Sequence, residues 1–138
     1  MFRRHLLLVI AALLVLLPAL FACAPAPATS ASVVSPSDRE KYATEATWAP
    51  GQLQAHFQKH PEGYKTVEEY DRGARDTIRR GVAFTYVDRE TNERRLGFYD
   101  RDTSRFTALT QDGRRITTHF RPDQREQYVR RLPGSTYR

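Results

Sequence analysis

"GVAFTYVDRETNERRLGFYDRDTSRFTALTQDGRRITTHF", residues 81–120, holds four runs rich in β-forming residues: 82–88, 94–100, 105–110 and 114–120. "RETNE" and "RDTS" separate the first three runs. Gln111-Asp112-Gly113 separates the last two and is a tight hairpin signal. Connections this short join neighbouring antiparallel strands, so the stretch predicts a four-stranded antiparallel meander.

Upstream of the meander the apolar period lengthens. Thr66-Val67-Glu68-Glu69 reads as a capping box, with Thr66 as N-cap and Glu69 reaching back. Val67, Tyr70, Ala74 and Ile78 then form one stripe at helical spacing, and Gly81 stops the helix at its C′ position. Before it, Pro50 suits a first helical turn and Leu53 and Phe57 share a face, which predicts a short helix over 52–60 closed by Pro61-Glu62-Gly63. Downstream, Pro122 ends the fourth strand and a short helix over 123–131 follows. Helices grouped ahead of a sheet argue for an α+β domain with two N-terminal helices, the meander and a C-terminal helix, spanning residues 47–138.

The segments preceding that domain have a different character. Met1-Phe2-Arg3-Arg4-His5 is basic, Leu6 to Leu17 is unbroken Leu/Val/Ile/Ala, and Pro18 to Ala24 is small-residue rich. That order is the layout of an export signal, and the apolar run is shorter than the roughly 20 residues of a membrane span. Cys23 is the single cysteine, so no internal disulfide staples the fold. Leu20-Phe21-Ala22-Cys23 resembles the lipobox of bacterial lipoproteins, where the cysteine sulfur is lipidated and anchors the chain to a membrane. Ala22-Cys23-Ala24 also fits ordinary signal cleavage and secretion. Residues 24–46 are dominated by Ala, Pro, Ser and Thr and read as a disordered tether behind a signal peptide of residues 1–23.

The full chain carries 22 basic and 16 acidic residues, a net charge of +6; without Arg3 and Arg4 the balance is 20 against 16, or +4. A moderately basic surface suits an anionic partner.

His56, Lys59 and His60 stand within five residues, and the chain has four histidines in all. On a helix His56 and His60 are i and i+4, and Lys59 is i+3 from His56. Three readings compete: a solvated helix face, a zinc clamp with His119 as a third nitrogen, and metal-free RNA cleavage. A lysine between the histidines opposes the clamp by repelling a cation. Cleavage needs a base for the ribose 2′-OH, an acid for the leaving oxygen and a cation for the phosphorane. Histidine and lysine supply these near neutral pH without a cofactor.

The order of motifs carries a resemblance. H-F-x-K-H at 56–60, Glu69-Tyr70, Tyr99-Asp100 and the run Asp112-Gly113-x-x-Ile116-x-Thr118-x-Phe120-x-Pro122 resemble the toxin-type ribonuclease domains of the barnase–EndoU–colicin–RelE group, over roughly residues 53–128. The resemblance implies a metal-independent endoribonuclease acting on RNA, tRNA included, with His56, Lys59, His60, Tyr99 and Thr118 as catalytic residues. An acidic immunity protein is the implied partner. Arg105, Arg114 and Arg115 are candidates for phosphate contacts. The alternative function is non-enzymatic: a cell-envelope lipoprotein whose domain binds another envelope component or an anionic polymer.

Overall fold

Ser35 opens the first helix, α1 (Pro36–Glu45), with its side chain accepting from the Asp38 amide at 3.1 Å and a proline in the first turn. The computed structural model describes residues 33–138. Val34, Ala43 and Ala46 are buried against Ile78, Leu96, Phe98, Leu109 and Ile116. The Arg39 guanidinium caps the C-terminal carbonyls of the third helix, donating to Ile78 O at 2.9 Å and to Arg79 O and Gly81 O. Arg75 returns the arrangement, donating to Ala43 O at 2.9 Å while held by Asp71. The expected tether over 24–46 is therefore corrected: residues 33–46 belong to the folded unit. Their buried contacts are made by one valine and two alanines, with Tyr42 packed partly against the same core and Arg39 bonded to carbonyls, a pattern without visible periodicity. Residues 24–32, Cys23 and the signal segment lie outside the described residues.

Five strands make one mixed sheet, ordered β1-β5-β4-β3-β2. β1 (Thr47–Trp48) runs parallel to β5 (Arg115–Phe120). β2 (Val82–Val87), β3 (Arg94–Asp100), β4 (Arg105–Thr110) and β5 form the antiparallel meander. The α+β class stands. The four-stranded, two-helix layout needs correction, because α1 and β1 precede the helices α2 (Gln52–Lys59) and α3 (Val67–Arg80). A two-residue strand is too short to show a period in sequence. The C-terminal helix α4 (Glu126–Arg130) is also shorter than expected.

Thr66 caps α3 as read, accepting from the Glu69 amide at 3.2 Å. Glu69 reaches one residue further out than a capping box requires and accepts from the Lys65 amide at 2.8 Å. Gly81 differs from expectation. Its φ is −66°, so it is no left-handed cap. Glycine fits there because a Cβ would lie 2.7 Å from Thr77 O and 2.9 Å from Tyr99 N.

Both sheet faces are covered. α1 and α3 cover one, over Leu96, Phe98, Leu109 and Ile116. The other is an aromatic layer of Phe84, Tyr86, Tyr99 and Phe106 with Val129, Leu132 and Tyr137 from the C-terminal segment. That segment also pairs with the outer edge of β2, through Val87 N to Pro133 O at 2.8 Å and Thr136 N to Thr85 O at 3.0 Å. It protects an edge strand from pairing with another chain. None of the described helices is long and apolar enough to cross a membrane.

The place of α1 in the core makes a test. A chain starting at residue 47 is expected to lose at least about 3 kcal/mol relative to residues 31–138, from the charge-assisted bonds of Arg39 and the apolar surface α1 covers. Urea unfolding of the two chains measures the difference, and equal midpoints would return α1 to the tether.

Candidate functional site

α2 carries His56 and Lys59, with His60 as its C-cap, and none of the residues of the helix is fully buried. Aromatic contacts at its two ends hold it. Near one end the His56 ring lies 5.6 Å from Trp48, whose indole N–H donates to Asp71 Oδ1 at 2.8 Å. At the other the His60 ring stacks on Phe120 at 5.4 Å and 30°. Phe57, between them, contacts Tyr70 of α3 at 5.8 Å. The two imidazoles are thus fixed one turn apart, with the exposed Lys59 ammonium between them in sequence.

Their surroundings differ. Burial lowers the proton affinity of His56, the positive charges of His60 and Lys59 lower it further, and the Thr117 backbone partly opposes them. His56 Nδ1 is buried and has no hydrogen-bond partner. His60 Nδ1 lies 3.9 Å from the Glu62 carboxylate, an ion pair whenever the ring is charged. One imidazole is biased toward the neutral form, and the other stands beside a negative charge.

The remaining expected residues scatter. Thr118 pairs with Ala108 across the β4–β5 ladder, next to Thr117, the residue left over where the register shifts between Ala108 and Leu109. Thr117 Oγ1 donates to Ala108 O at 3.2 Å. Tyr99 is corrected from a catalytic to a packing residue. It is 2% exposed, against Tyr137 at 5.9 Å. Its row runs Tyr99, Phe106, Phe120, so it stands two strands, roughly 10 Å, from the ring on which His60 stacks. Arg114 and Arg115 are exposed at the hairpin end of β5, roughly 15 Å along the strand from Phe120. Arg114 has Asp112 3.8 Å away. Arg105 lies closer to α2: its Nη2 donates to Glu62 O at 3.2 Å, and its guanidinium covers the Tyr64 ring at 4.6 Å.

Beneath Arg105 lies His119, considered from sequence only as the third nitrogen of a zinc clamp. His119 is fully buried. Its Nδ1 is 2.8 Å from Thr107 Oγ1, whose own hydroxyl donates to Ala74 O at 3.2 Å. With that hydrogen committed, Nδ1 carries the imidazole proton, and Nε2 accepts from the Tyr64 hydroxyl at 3.3 Å. Tyr70 OH donates to the His119 carbonyl. Burial first, then the Arg105 charge, push the His119 ring down to about 3. Both nitrogens face partners, so His119 does not serve as the third ligand of a clamp on α2. The sequence signal for this cluster is Gly73, in the middle of α3, where a Cβ would run into the Tyr64 side chain. Glycine there lets Tyr64 lie on the helix and reach His119.

Comparisons with family models, with curated proteins and with solved structures find no match for this chain.

The buried imidazole sets a pH dependence. A histidine with its folded pKa depressed stabilises the fold while neutral. Unfolding free energy is therefore expected to fall by several kcal/mol as pH drops from about 6.5 toward 3, with His56 adding in the same direction. Urea titrations across that range should show the slope, reduced in His119→Gln. A slope unaltered by the substitution would place the titrating group elsewhere.

Proposed function

We propose that the domain is a metal-independent endoribonuclease of the toxin type, as its resemblance to the barnase–EndoU–colicin–RelE group implies. The observation that carries the reading is the pair His56 and His60, one helical turn apart in an aromatic seat, with the electrostatics of an unlike pair. His56, biased toward neutral, is the base. It takes the proton of the ribose 2′-OH as that oxygen bonds to phosphorus. His60, in its protonated form and 3.9 Å from the Glu62 carboxylate, is the acid. It gives its proton to the 5′-oxygen as the P–O5′ bond breaks, leaving a 2′,3′-cyclic phosphate. Lys59 stabilises the charge on the phosphorane. Trp48 and Phe120 beside the imidazoles are apolar surfaces of the kind on which unpaired bases stack.

Two further parts of the proposal rest on sequence. The basic balance of the chain suits an acidic immunity protein that would cover α2 and its rim. Cys23 would carry the lipid anchor, or mark the cleavage site of a secreted form.

The test is cleavage of total tRNA by residues 31–138 in excess EDTA. Activity is expected to persist in EDTA and to fall a hundredfold or more in His56→Ala and in His60→Ala. Because His56 must be neutral to act, the rate should decline as pH is lowered, with a midpoint below the ordinary histidine value of 6.5. RNA that stays intact with the unsubstituted domain, or cleavage indifferent to both histidines, rules the enzyme out. RNA bound tightly but uncut would favour a binding module.

A further inference from the structure

The β3–β4 turn, the start of β4 and the loop from β5 to α4 enclose an open basin of about 350 Å³, lined by Asp102, Thr103, Ser104, Arg105, Arg121 and Arg125. Three guanidiniums there face one carboxylate. Arg105, Arg121 and Arg125 form no ion pair with Asp or Glu, a property they share with several other arginines of the described residues but which here falls on three that line one basin. The basin also gathers unmet hydrogen bonds. Arg105 Nε and Thr103 Oγ1 are both buried, and neither has a partner. A buried polar atom left without a hydrogen bond is destabilising, so two on adjoining walls call for a partner. The backbone is costly here as well. Ser104 has φ 55°, and Arg125 has φ 47° and ψ −127°, conformations that side-chain-bearing residues seldom adopt.

The wall is held in place before any ligand arrives. Arg105 is fixed by the Glu62 carbonyl and the Tyr64 ring. Asp100 Oδ1 accepts from the Asp102 amide at 3.0 Å and anchors the turn. The donors outnumber the oxygens of a carboxylate and suit a tetrahedral group with several acceptor oxygens. The basin also begins where α2 ends. The residue whose carbonyl holds Arg105, Glu62, has its carboxylate 3.9 Å from His60, and Arg121 directly follows Phe120, on which His60 stacks.

We propose that this basin binds a backbone phosphate of the RNA strand, next along the chain from the phosphate that His56 and His60 cut, with Arg105, Arg121, Arg125 and Thr103 as its donors. The inference rests on the ribonuclease reading for the identity of the strand and on the basin itself for the phosphate. Its consequence is that the enzyme grips a polymer and not an isolated dinucleotide.

The experiment uses the full chain, purified in mild detergent, with Arg121→Gln/Arg125→Gln as the variant and Lys41→Gln on the exposed face of α1 as the charge control. Circular dichroism confirms that both are folded. Steady-state cleavage of a single-stranded oligoribonucleotide is read at several salt concentrations, and amide shifts of Thr103 and Ser104 are read during titration with inorganic phosphate. The double variant is expected to raise KM about tenfold and to flatten the salt dependence of kcat/KM by about one phosphate contact, with the control unchanged. If the chain cleaves RNA and the double variant matches the control, the basin proposal is overturned and the ribonuclease reading stands. If the chain leaves RNA intact, the ribonuclease reading falls and phosphate alone judges the basin. Saturating shifts that vanish in the double variant sustain it, and absent shifts overturn it.

Discussion

Tyr70 is the side chain through which α2, α3 and β5 are joined. It is fully buried, and its ring meets Trp48 at 6.1 Å, Phe57 at 5.8 Å, Tyr64 at 5.6 Å and His119 at 4.9 Å. Its hydroxyl donates to the His119 carbonyl, so a polar tip that would be costly to bury unpaired is spent on tying α3 to the sheet. Burial raises the tyrosine well above its usual range, so it remains a donor at any working pH. Because α2 buries no residue of its own, the positions of His56 and His60 follow from this aromatic hub and from Phe120.

That dependence explains which parts were legible in the sequence. The meander showed because each strand is six or seven residues long and each connection is short. β3 and β4 fall on the very residues the alternation marked. α3 showed because Thr66 and the stripe of Tyr70, Ala74 and Ile78 agree. α1 did not show, since its buried side is Ala43 and the flanking Ala46, and alanine contributes helix propensity without apolar contrast. β1 is too short for any period. Within the site, α2's three residues are local in sequence and were visible as a cluster. The Arg105–Tyr64–His119–Thr107 group is assembled from four separate segments, and only tertiary packing brings it together. Tyr99 misled because an aromatic on a central strand reads alike whether it faces a ligand or, as here, a second covering layer.

Two electrical environments meet around Tyr64. Below it, His119 is dry, neutral and hydrogen-bonded at both ring nitrogens. Above it, the Arg105 guanidinium is partly buried, with its Nε left without a partner. The guanidinium lies over the π face of a ring whose hydroxyl points at a neutral imidazole. A charged imidazole in that place would be repelled by Arg105 and would lose the Tyr64 donor. The neutrality of His119 and the position of Arg105 are therefore compatible, with Arg105 itself held by the Glu62 carbonyl and the Tyr64 ring.

The buried polar atoms left without a hydrogen-bond partner are not spread evenly over the fold. Among the described residues four buried side-chain atoms have no hydrogen-bond partner: His56 Nδ1, Asp100 Oδ2, Thr103 Oγ1 and Arg105 Nε. One is on α2. Thr103 Oγ1 and Arg105 Nε adjoin at the β3–β4 turn, which the Glu62–Arg105 bond links to the end of α2, while Asp100 Oδ2 lies 3.5 Å from the Arg80 guanidinium. Both faces of the sheet are sealed, one by α1 and α3 and the other by the C-terminal segment, and the β2 edge is covered. The rim from Trp48 past His60 to Arg121 is where aromatic surface, imidazole and unpaired guanidinium occur in succession. A fold that satisfies its buried polar groups elsewhere and leaves them unmet along one rim concentrates the cost of folding where a ligand can offset it. On the ribonuclease proposal, an extended polyanion with bases to stack is the ligand that this order of groups suits.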